Sequence, residues 1–243
     1  MMRLRPLALL ALGWIFHALA SASGLQVAPT SLTLQANQNA DGLWLSNTGD
    51  GPVTAQVRVY RWTQQNGENQ ESPSRAVLVS PPMIQLAAAD RQLIRVIRTG
   101  PPPANAEEAY RVVIDELPLP NTGPKKGVQF VLRYSVPVFM APAAGAGSPP
   151  QLNWKVRREG QNAVLEVANT GGTHAQLAEL HFADNRGRRT EVHPGLLGYV
   201  LPGAQMRWQL KTPPASFANG GSLDALINGS ATQQNISPIE PAR

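Results

Sequence analysis

The clearest recognition chemistry in this sequence lies between residues 127 and 139, where large apolar side chains occupy every second position. The alternating positions are Val128, Phe130, Leu132 and Tyr134. A β-strand would place these side chains on one face. Pro137 has no backbone N–H, so this end of the strand is expected at a sheet edge. An exposed apolar edge strand is either an aggregation hazard or a surface for pairing with another chain, and the rest of the sequence has to decide between the two.

The sequence contains carboxylates, serines and histidines, which can serve catalysis or metal binding, but their spacing matches no known catalytic or metal-binding motif. Asp115 and Glu116 are neighbours, and adjacent strand residues point to opposite faces, so their carboxylates cannot share a proton. No serine lies in a Gly-x-Ser-x-Gly elbow, and no phosphate loop or dinucleotide fingerprint occurs. His174, His181 and His193 match no zinc spacing, and the chain has no cysteine. We expect no enzymatic activity, no metal and no cofactor.

The charge pattern argues against nucleic acid as a partner. The formal net charge is +5, but the basic residues form no run with interleaved aromatic residues, which nucleic-acid binding favours. Arginine outnumbers lysine, and its planar guanidinium suits recognition of carboxylates.

The first 22 residues have the composition of a signal peptide. Two arginines precede an apolar run over residues 7–19, and Ala20-Ser21-Ala22 supplies the small residues of a cleavage site. A membrane anchor is the alternative, but the apolar run is short for a bilayer span. We expect cleavage after Ala22, leaving about 220 residues, which is enough for two domains of common size.

The remaining chain has the period of two that strands produce, and it shows no long helical period. Predicted strands cover residues 25–34, 42–46, 53–62, 93–98, 110–117, 128–139, 152–158, 163–168, 178–184, 207–210 and 222–228. Residues 142–150 are rich in Gly, Pro and Ala and are predicted to be a linker. The sequence thus predicts an all-β protein with two immunoglobulin-like β-sandwich domains, at residues 23–141 and 151–243.

One short phrase occurs in both predicted domains. Residues 45–49 read Leu-Ser-Asn-Thr-Gly, and residues 167–171 read Val-Ala-Asn-Thr-Gly. Domain duplication would explain this recurrence, and a shared type of strand-ending turn would explain it equally well.

Taken together, these segments resemble the periplasmic chaperones of the chaperone/usher pathway, which assembles pili in Gram-negative bacteria. The resembling segments lie at residues 27–30, 43–47, 57–62, 80–86, 91–96, 110–118, 127–139 and 198–203. Their order and spacing carry the resemblance, which extends over most of the mature chain. The segment 133–139 looks more like a divergent branch of these chaperones, often called archaic.

The resemblance implies two domains in an L or boomerang arrangement with a cleft between them. It implies a periplasmic protein whose last first-domain strand completes the sandwich of a pilus subunit before an outer-membrane usher receives that subunit. The family's donor positions match Val128, Phe130 and Leu132, the face that alternation identifies independently, and Tyr134 continues that face.

The resemblance fails at the residues that anchor the subunit's terminal carboxylate. Ser31 replaces the family's arginine, and Pro137 replaces its lysine. If a carboxylate is still held, Arg111 and Arg133 are the candidates, because Arg133 shares face parity with Pro137 and Arg111 lies on the strand expected beside it. In the alternative interpretation both arginines are solvated or pair with Asp115 or Glu116.

Two other interpretations stay open at this level. The alternative to a chaperone is a secreted two-domain adhesin-like or structural pilus component, whose apolar edge would polymerise with copies of itself. A nearly complete set of first-domain strands favours the chaperone. Self-association of the free chaperone through the same edge is also expected, because exposed apolar edges tend to become covered.

Overall fold

The computed structural model describes residues 24–118, 131–143 and 147–239, so the predicted signal peptide lies outside the described residues. The described residues form seventeen strands and one short 3-10 helix, which confirms the all-β prediction. None of the described segments is a helix long and apolar enough to cross a membrane.

The first-half strands are β1 (Leu25–Ala28), β2 (Leu32–Leu34), β3 (Ala40–Asn47), β4 (Val53–Gln65), β5 (Glu68–Pro73), β6 (Val77–Ser80), β7 (Met83–Leu86), β8 (Arg91–Arg98), β9 (Glu108–Leu117) and β10 (Arg133–Met140). They form two sheets, ordered β1-β3-β8-β6 and β2-β10-β9-β4-β5, and β7 pairs with β4. The alternate residues that face inward, among them Leu43, Ile94, Val112 and Val138, are fully buried in one apolar core. Burial of this kind is the main stabilising contribution to a sandwich.

The second-half strands are β11 (Leu152–Glu159), β12 (Asn162–Asn169), β13 (Ala175–Asp184), β14 (Arg189–Val200), β15 (Gln205–Leu210), β16 (Gly221–Ile227) and β17 (Ser230–Ile236). Their sheets are ordered β11-β12-β15 and β14-β13-β16-β17. Phe182 and Phe217, with ring centroids 4.7 Å apart, lie at the centre of a separate core. Phe217 ends the 3-10 helix Pro214–Phe217.

The predicted strand over residues 25–34 is divided into two. β1 pairs with β3 in one sheet, whereas β2 pairs with β10 in the other. Pro29 lies in the interruption, and because proline cannot donate to a ladder, pairing stops there. The opening segment therefore contributes to both sheets of the first domain.

The recurring Asn-Thr-Gly phrase forms the same buried turn in both domains. The Asn47 side-chain amide donates to the carbonyl oxygens of Gly51 (2.8 Å) and Ala87 (2.9 Å), and its Oδ1 accepts from the Gly49 N–H (3.0 Å). The Asn169 amide likewise donates to Thr173 O (2.8 Å), and its Oδ1 accepts from an N–H two residues ahead (2.9 Å). A shared strand-ending turn accounts for the recurrence without requiring duplication.

Candidate protein-binding edge and cleft

Strand β10 has one edge that is only partly covered. β9 pairs with β10 antiparallel along its whole length, from Arg133 opposite Asp115 to Met140 opposite Glu108. On the other side, β2 pairs only with Val138–Met140. Among the described residues, the outer edge of β10 is therefore unpaired from residue 133 to residue 137. Pro137 lies directly before the first residue that pairs with β2, which agrees with its predicted place at a sheet edge.

The face predicted to donate side chains continues into the first-domain core. Leu132 and Tyr134 are partly buried against that core, and the Tyr134 hydroxyl donates a hydrogen bond to the Leu25 carbonyl oxygen. Val128 and Phe130 lie outside the described residues. The described strand begins at Arg133, although the Leu132 carbonyl oxygen already accepts from the Glu116 N–H at 2.9 Å.

The opposite face of β10 is directed towards the second domain. This face of the sheet continues across β9, β4 and β5, and we call the whole of it the cleft face. Its members include Ser135, Pro137 and Phe139 on β10, Arg111 and Asp115 on β9, Trp62 on β4 and Glu71 on β5. At one end, the Phe139 ring stacks on the His174 ring of the second domain, with centroids 3.6 Å apart. Beyond β10 the face is more open, and Val131 is 49% exposed.

The two domains meet in a small apolar cluster with polar contacts around it. Trp62 and Phe139 of the first domain pack with Leu201 of the second. The buried Gln64 side chain bridges the domains, because its amide donates to Tyr199 O and its Oε1 accepts from the Leu201 N–H, both at 2.8 Å. These two hydrogen bonds hold Tyr199 and Leu201, at the C-terminal end of β14, against the cleft face.

Arg111 is the cationic side chain held most closely in the cleft. Its guanidinium carbon lies 3.8 Å from the centre of the Trp62 ring, and its Nη1 donates to Ser135 Oγ at 3.2 Å. Its Nε lies 3.6 Å from a carboxylate oxygen of Glu71, and only 18% of the Arg111 side chain is exposed. Burial lowers the pKa of Arg111, and the negative charge of Glu71 opposes that lowering. Arg111 faces Pro137 directly in the ladder, beside the position where the family carries its lysine.

Arg133 has a different environment, and the structure does not bring it together with Arg111. The Arg133 Nε lies 3.3 Å from Asp115 Oδ1, and 61% of its side chain is exposed. Asp115 also pairs with Arg58. Arg111 lies opposite Pro137, four positions from Arg133. The backbones of the two arginines are therefore offset by about 13 Å along the strand direction. Ser31 is exposed, between β1 and β2.

Sequence reasoning missed several residues that shape this site. Trp62, Glu71, Gln64 and Tyr199 were not predicted to be site residues. Glu71 lies in a polar strand without an alternating pattern, and the other three meet Arg111 or the domain junction only through long-range contacts. The spacing of the sequence carries no signal for such contacts.

Comparisons with known proteins agree with this architecture. A family model described as pili and flagellar-assembly chaperone, PapD N-terminal domain, matches residues 24–146. A search of curated proteins gives no match. Three solved structures illustrate the shared fold.

The first is the CsuC–CsuE chaperone–tip adhesion subunit pre-assembly complex from archaic chaperone-usher Csu pili of Acinetobacter baumannii, with TM-score 0.69 and 23% identity over 89% of this chain and 99% of that chain. The second is the Salmonella enterica SafA pilin in complex with the SafB chaperone, with TM-score 0.61 and 20% identity over 88% and 96%. The third is the Pseudomonas aeruginosa CupB2 chaperone, with TM-score 0.56 and 19% identity over 86% and 98%.

The family model extends over half of the chain and coincides with the first sandwich, including β10. Because these chaperones are not enzymes, the expectation of a non-enzymatic protein is confirmed. The chain belongs to the family of pili and flagellar-assembly chaperones with a PapD-type N-terminal domain, as its sequence resemblance predicted.

Proposed function

We propose that this protein is a periplasmic chaperone that binds pilus subunits by donor-strand complementation and delivers them to an outer-membrane usher. The observation that carries the proposal is the open outer edge of β10 over residues 133–137. The alternating apolar residues of the sequence lead directly into this edge. An extended partner segment can pair with such an edge while its groove receives the alternate side chains.

Burial of the donor side chains would contribute to the stability of a complex with an incomplete subunit. Val128, Phe130 and Leu132 are the proposed donor side chains, and burying three residues of this size contributes on the order of 5 kcal/mol or more before ordering costs. Tyr134 marks the point where the same face passes from the proposed subunit groove into the chaperone's own core. Main-chain hydrogen bonds along the open edge would set the register.

The proposed anchor for the subunit's terminal carboxylate is Arg111 alone. Its guanidinium is oriented by Trp62 and Ser135, and its ion-pair contact with Glu71 is long enough for another carboxylate to replace it. Arg133 is assigned to the ion pair with Asp115, in agreement with the alternative interpretation of that residue. An arginine on β9 would thus substitute for the basic pair that Ser31 and Pro137 replace.

The remaining parts of the proposal concern location and further partners. The signal-peptide composition of residues 1–22 and the family membership support a periplasmic location. The usher is proposed as the second partner on the basis of the family resemblance. Self-association of the free form is proposed because an open apolar edge favours pairing with a second copy.

The proposal is tested by coexpression with a candidate pilus subunit from the genome that encodes this chain. The double variant Val128→Asp, Phe130→Asp places two charges on the donor face, and Gln129→Asp, Val131→Asp places the same charges on the opposite face. Wild type and the second variant are expected to recover a soluble one-to-one complex from the periplasm, and the first variant is not. Equal recovery with both variants would exclude donation through this face and favour an adhesin-like role.

A further inference from the structure

We propose that the hydroxyl group of Tyr199, from the second domain, is the second ligand of the carboxylate that Arg111 binds. This inference rests on the proposed anchoring role of Arg111. A neutral hydrogen-bond donor would then bind the carboxylate where other members of the family use a second basic residue. The site would include residues of both domains.

Arg111 and Tyr199 contact the same aromatic ring from the two domains. The Arg111 guanidinium lies over the Trp62 indole at 3.8 Å from its centre. The Tyr199 ring meets that indole edge-on, with centroids 5.5 Å apart and an angle of 82°. The guanidinium and the tyrosine are therefore neighbours at the domain junction.

The Tyr199 hydroxyl is oriented to donate. The Gln176 side-chain amide donates a hydrogen bond to the Tyr199 oxygen at 2.8 Å. A phenol has one proton to give and lone pairs to receive, so this bond occupies acceptor capacity and leaves the proton available. Within the described part of the chain, the structure gives that proton no acceptor. Gln176 is itself held in place, because its backbone N–H donates to Asn228 Oδ1 at 2.7 Å.

The position of Tyr199 is fixed by contacts that cross the junction. Its carbonyl oxygen accepts from Gln64 of the first domain, and the ring packs with the junction cluster around Trp62. A carboxylate held by Arg111 offers further acceptor sites, and an O–H to O⁻ hydrogen bond is stronger than one between neutral groups. The predicted ligand is a free C-terminal carboxylate, because an amide offers neither the charge nor the second strong acceptor.

The test uses the full mature chain and two small probes, N-acetyl-L-alanine and N-acetyl-L-alaninamide. Binding is followed by the ¹⁵N–¹H resonance of the Arg111 Nε–H group, which is assigned by its disappearance in Arg111→Gln. The acid is expected to shift this resonance saturably, and the amide is not. Tyr199→Phe keeps the ring packing on Trp62 and is expected to weaken acid binding about tenfold, since hydrogen bonds to charged groups have this strength.

A second variant controls for loss of packing. Gln176→Glu retains the tyrosine but supplies a carboxylate that accepts a hydrogen bond from the Tyr199 hydroxyl. It should therefore weaken acid binding at least as much as Tyr199→Phe does. Unchanged unfolding temperatures would show that both variants fold normally. Since the Nε–H signal is lost in Arg111→Gln, acid affinity in that variant is measured from the Trp62 indole N–H resonance.

The possible outcomes distinguish a failure of the Tyr199 proposal from a failure of the proposed Arg111 anchor. If Arg111→Gln abolishes acid binding and Tyr199→Phe leaves it unchanged, the tyrosine role is wrong and the arginine anchor stands. If wild type binds acid and amide equally, or if Arg111→Gln still binds acid with wild-type affinity, the carboxylate site itself is wrong. An equal loss of acid and amide binding in Tyr199→Phe would show a packing role only, which also contradicts the proposal.

Discussion

A half-buried arginine in contact with a loosely held carboxylate defines the chemistry of the cleft. Most of the Arg111 side chain is shielded from water. Its guanidinium instead contacts the Trp62 ring face and the Ser135 hydroxyl, and it lies 3.6 Å from a carboxylate oxygen of Glu71. Removing a cation from water costs free energy unless a counter-ion and hydrogen bonds replace the lost hydration. Glu71 lies on an exposed edge strand, and in the proposed anchor it supplies the counter-ion until another carboxylate replaces it.

The first prediction concerns this competition. Glu71→Gln should raise the affinity for N-acetyl-L-alanine by roughly threefold, because it removes an ion pair of surface-like strength that the ligand must displace. The Arg111 Nε–H titration measures the change. Glu68→Gln, on the same exposed strand, is the matched control and should leave the affinity unaltered. Weaker binding after Glu71→Gln would show that Glu71 orients Arg111 instead of competing for it.

A second prediction concerns the ionisation of a buried tyrosine. Burial, together with a hydrogen bond to the Glu108 carboxylate, raises the pKa of Tyr110 to about 12 from 10.0. Because the folded-state pKa is the higher one, the stabilising contribution is complete below pH 10 and is lost as the pH rises to about 12. Wild type should therefore lose stability over this interval relative to Tyr110→Phe, as measured by urea unfolding.

Absorbance at 295 nm checks the assignment directly. One of the four tyrosines should ionise last in the folded wild type, and this step should be missing in Tyr110→Phe. A wild-type titration in which every tyrosine ionises near pH 10 would contradict the assigned environment.

At the level of elements, alternation predicted several strands that bury one face, but it missed the four-residue strands β6 and β7, although β7 buries Ile84 and Leu86 at alternate positions. β4, β9 and β12 carry alternating apolar residues and were found at the predicted places. β5 was missed because all six of its residues are exposed and polar or proline, and the edge strand β17 is similarly polar. In β14, Pro194, Gly195 and Gly198 interrupt the pattern, although antiparallel pairing with β13 still holds this edge strand in the sheet.

The buried asparagine turns give a prediction at this scale. Asn169→Ala should destabilise the protein by about 2–3 kcal/mol, because the carbonyl oxygens of Thr173 and Val200 and the Gly171 N–H lose buried partners. Chemical denaturation followed by tryptophan fluorescence measures the change. Asn162→Ala, at an exposed strand position, is the control and should cost less than about 0.5 kcal/mol. A comparably small effect for Asn169→Ala would mean that water replaces these bonds.

For the whole molecule, the sequence predicted the all-β fold, and the alternating donor face stays a prediction, whereas the contacts around Arg111 were not predicted. The donor face follows from a local period of two, which the sequence displays. Arg111 was selected because its strand was expected beside β10, and the ladder places it opposite Pro137. The pairing of Arg111 with Trp62, Glu71 and the second domain depends on contacts between distant segments, which no local pattern encodes.

The domain junction leads to a prediction about overall geometry. Gln64→Ala leaves the Tyr199 carbonyl oxygen and the Leu201 N–H without their partner, and unpaired buried groups cost about 1–3 kcal/mol each. The variant should therefore sample a wider range of domain arrangements, seen as a larger radius of gyration in small-angle X-ray scattering. Gln70→Ala, on exposed β5, should match wild type. An unchanged radius for Gln64→Ala would show that the apolar cluster alone fixes the junction.

The most direct test of the central claim is amide hydrogen exchange of the chaperone, free and in complex with its pilus subunit. The six-residue β5 and the first half of β10 lie at opposite edges of one sheet, so the sheet contains its own internal comparison. Donor-strand complementation predicts slower exchange in peptides that contain residues 124–137 and unchanged exchange over residues 68–73. Protection at residues 68–73 without protection at 124–137 would contradict the account, because the subunit would then pair with the wrong edge.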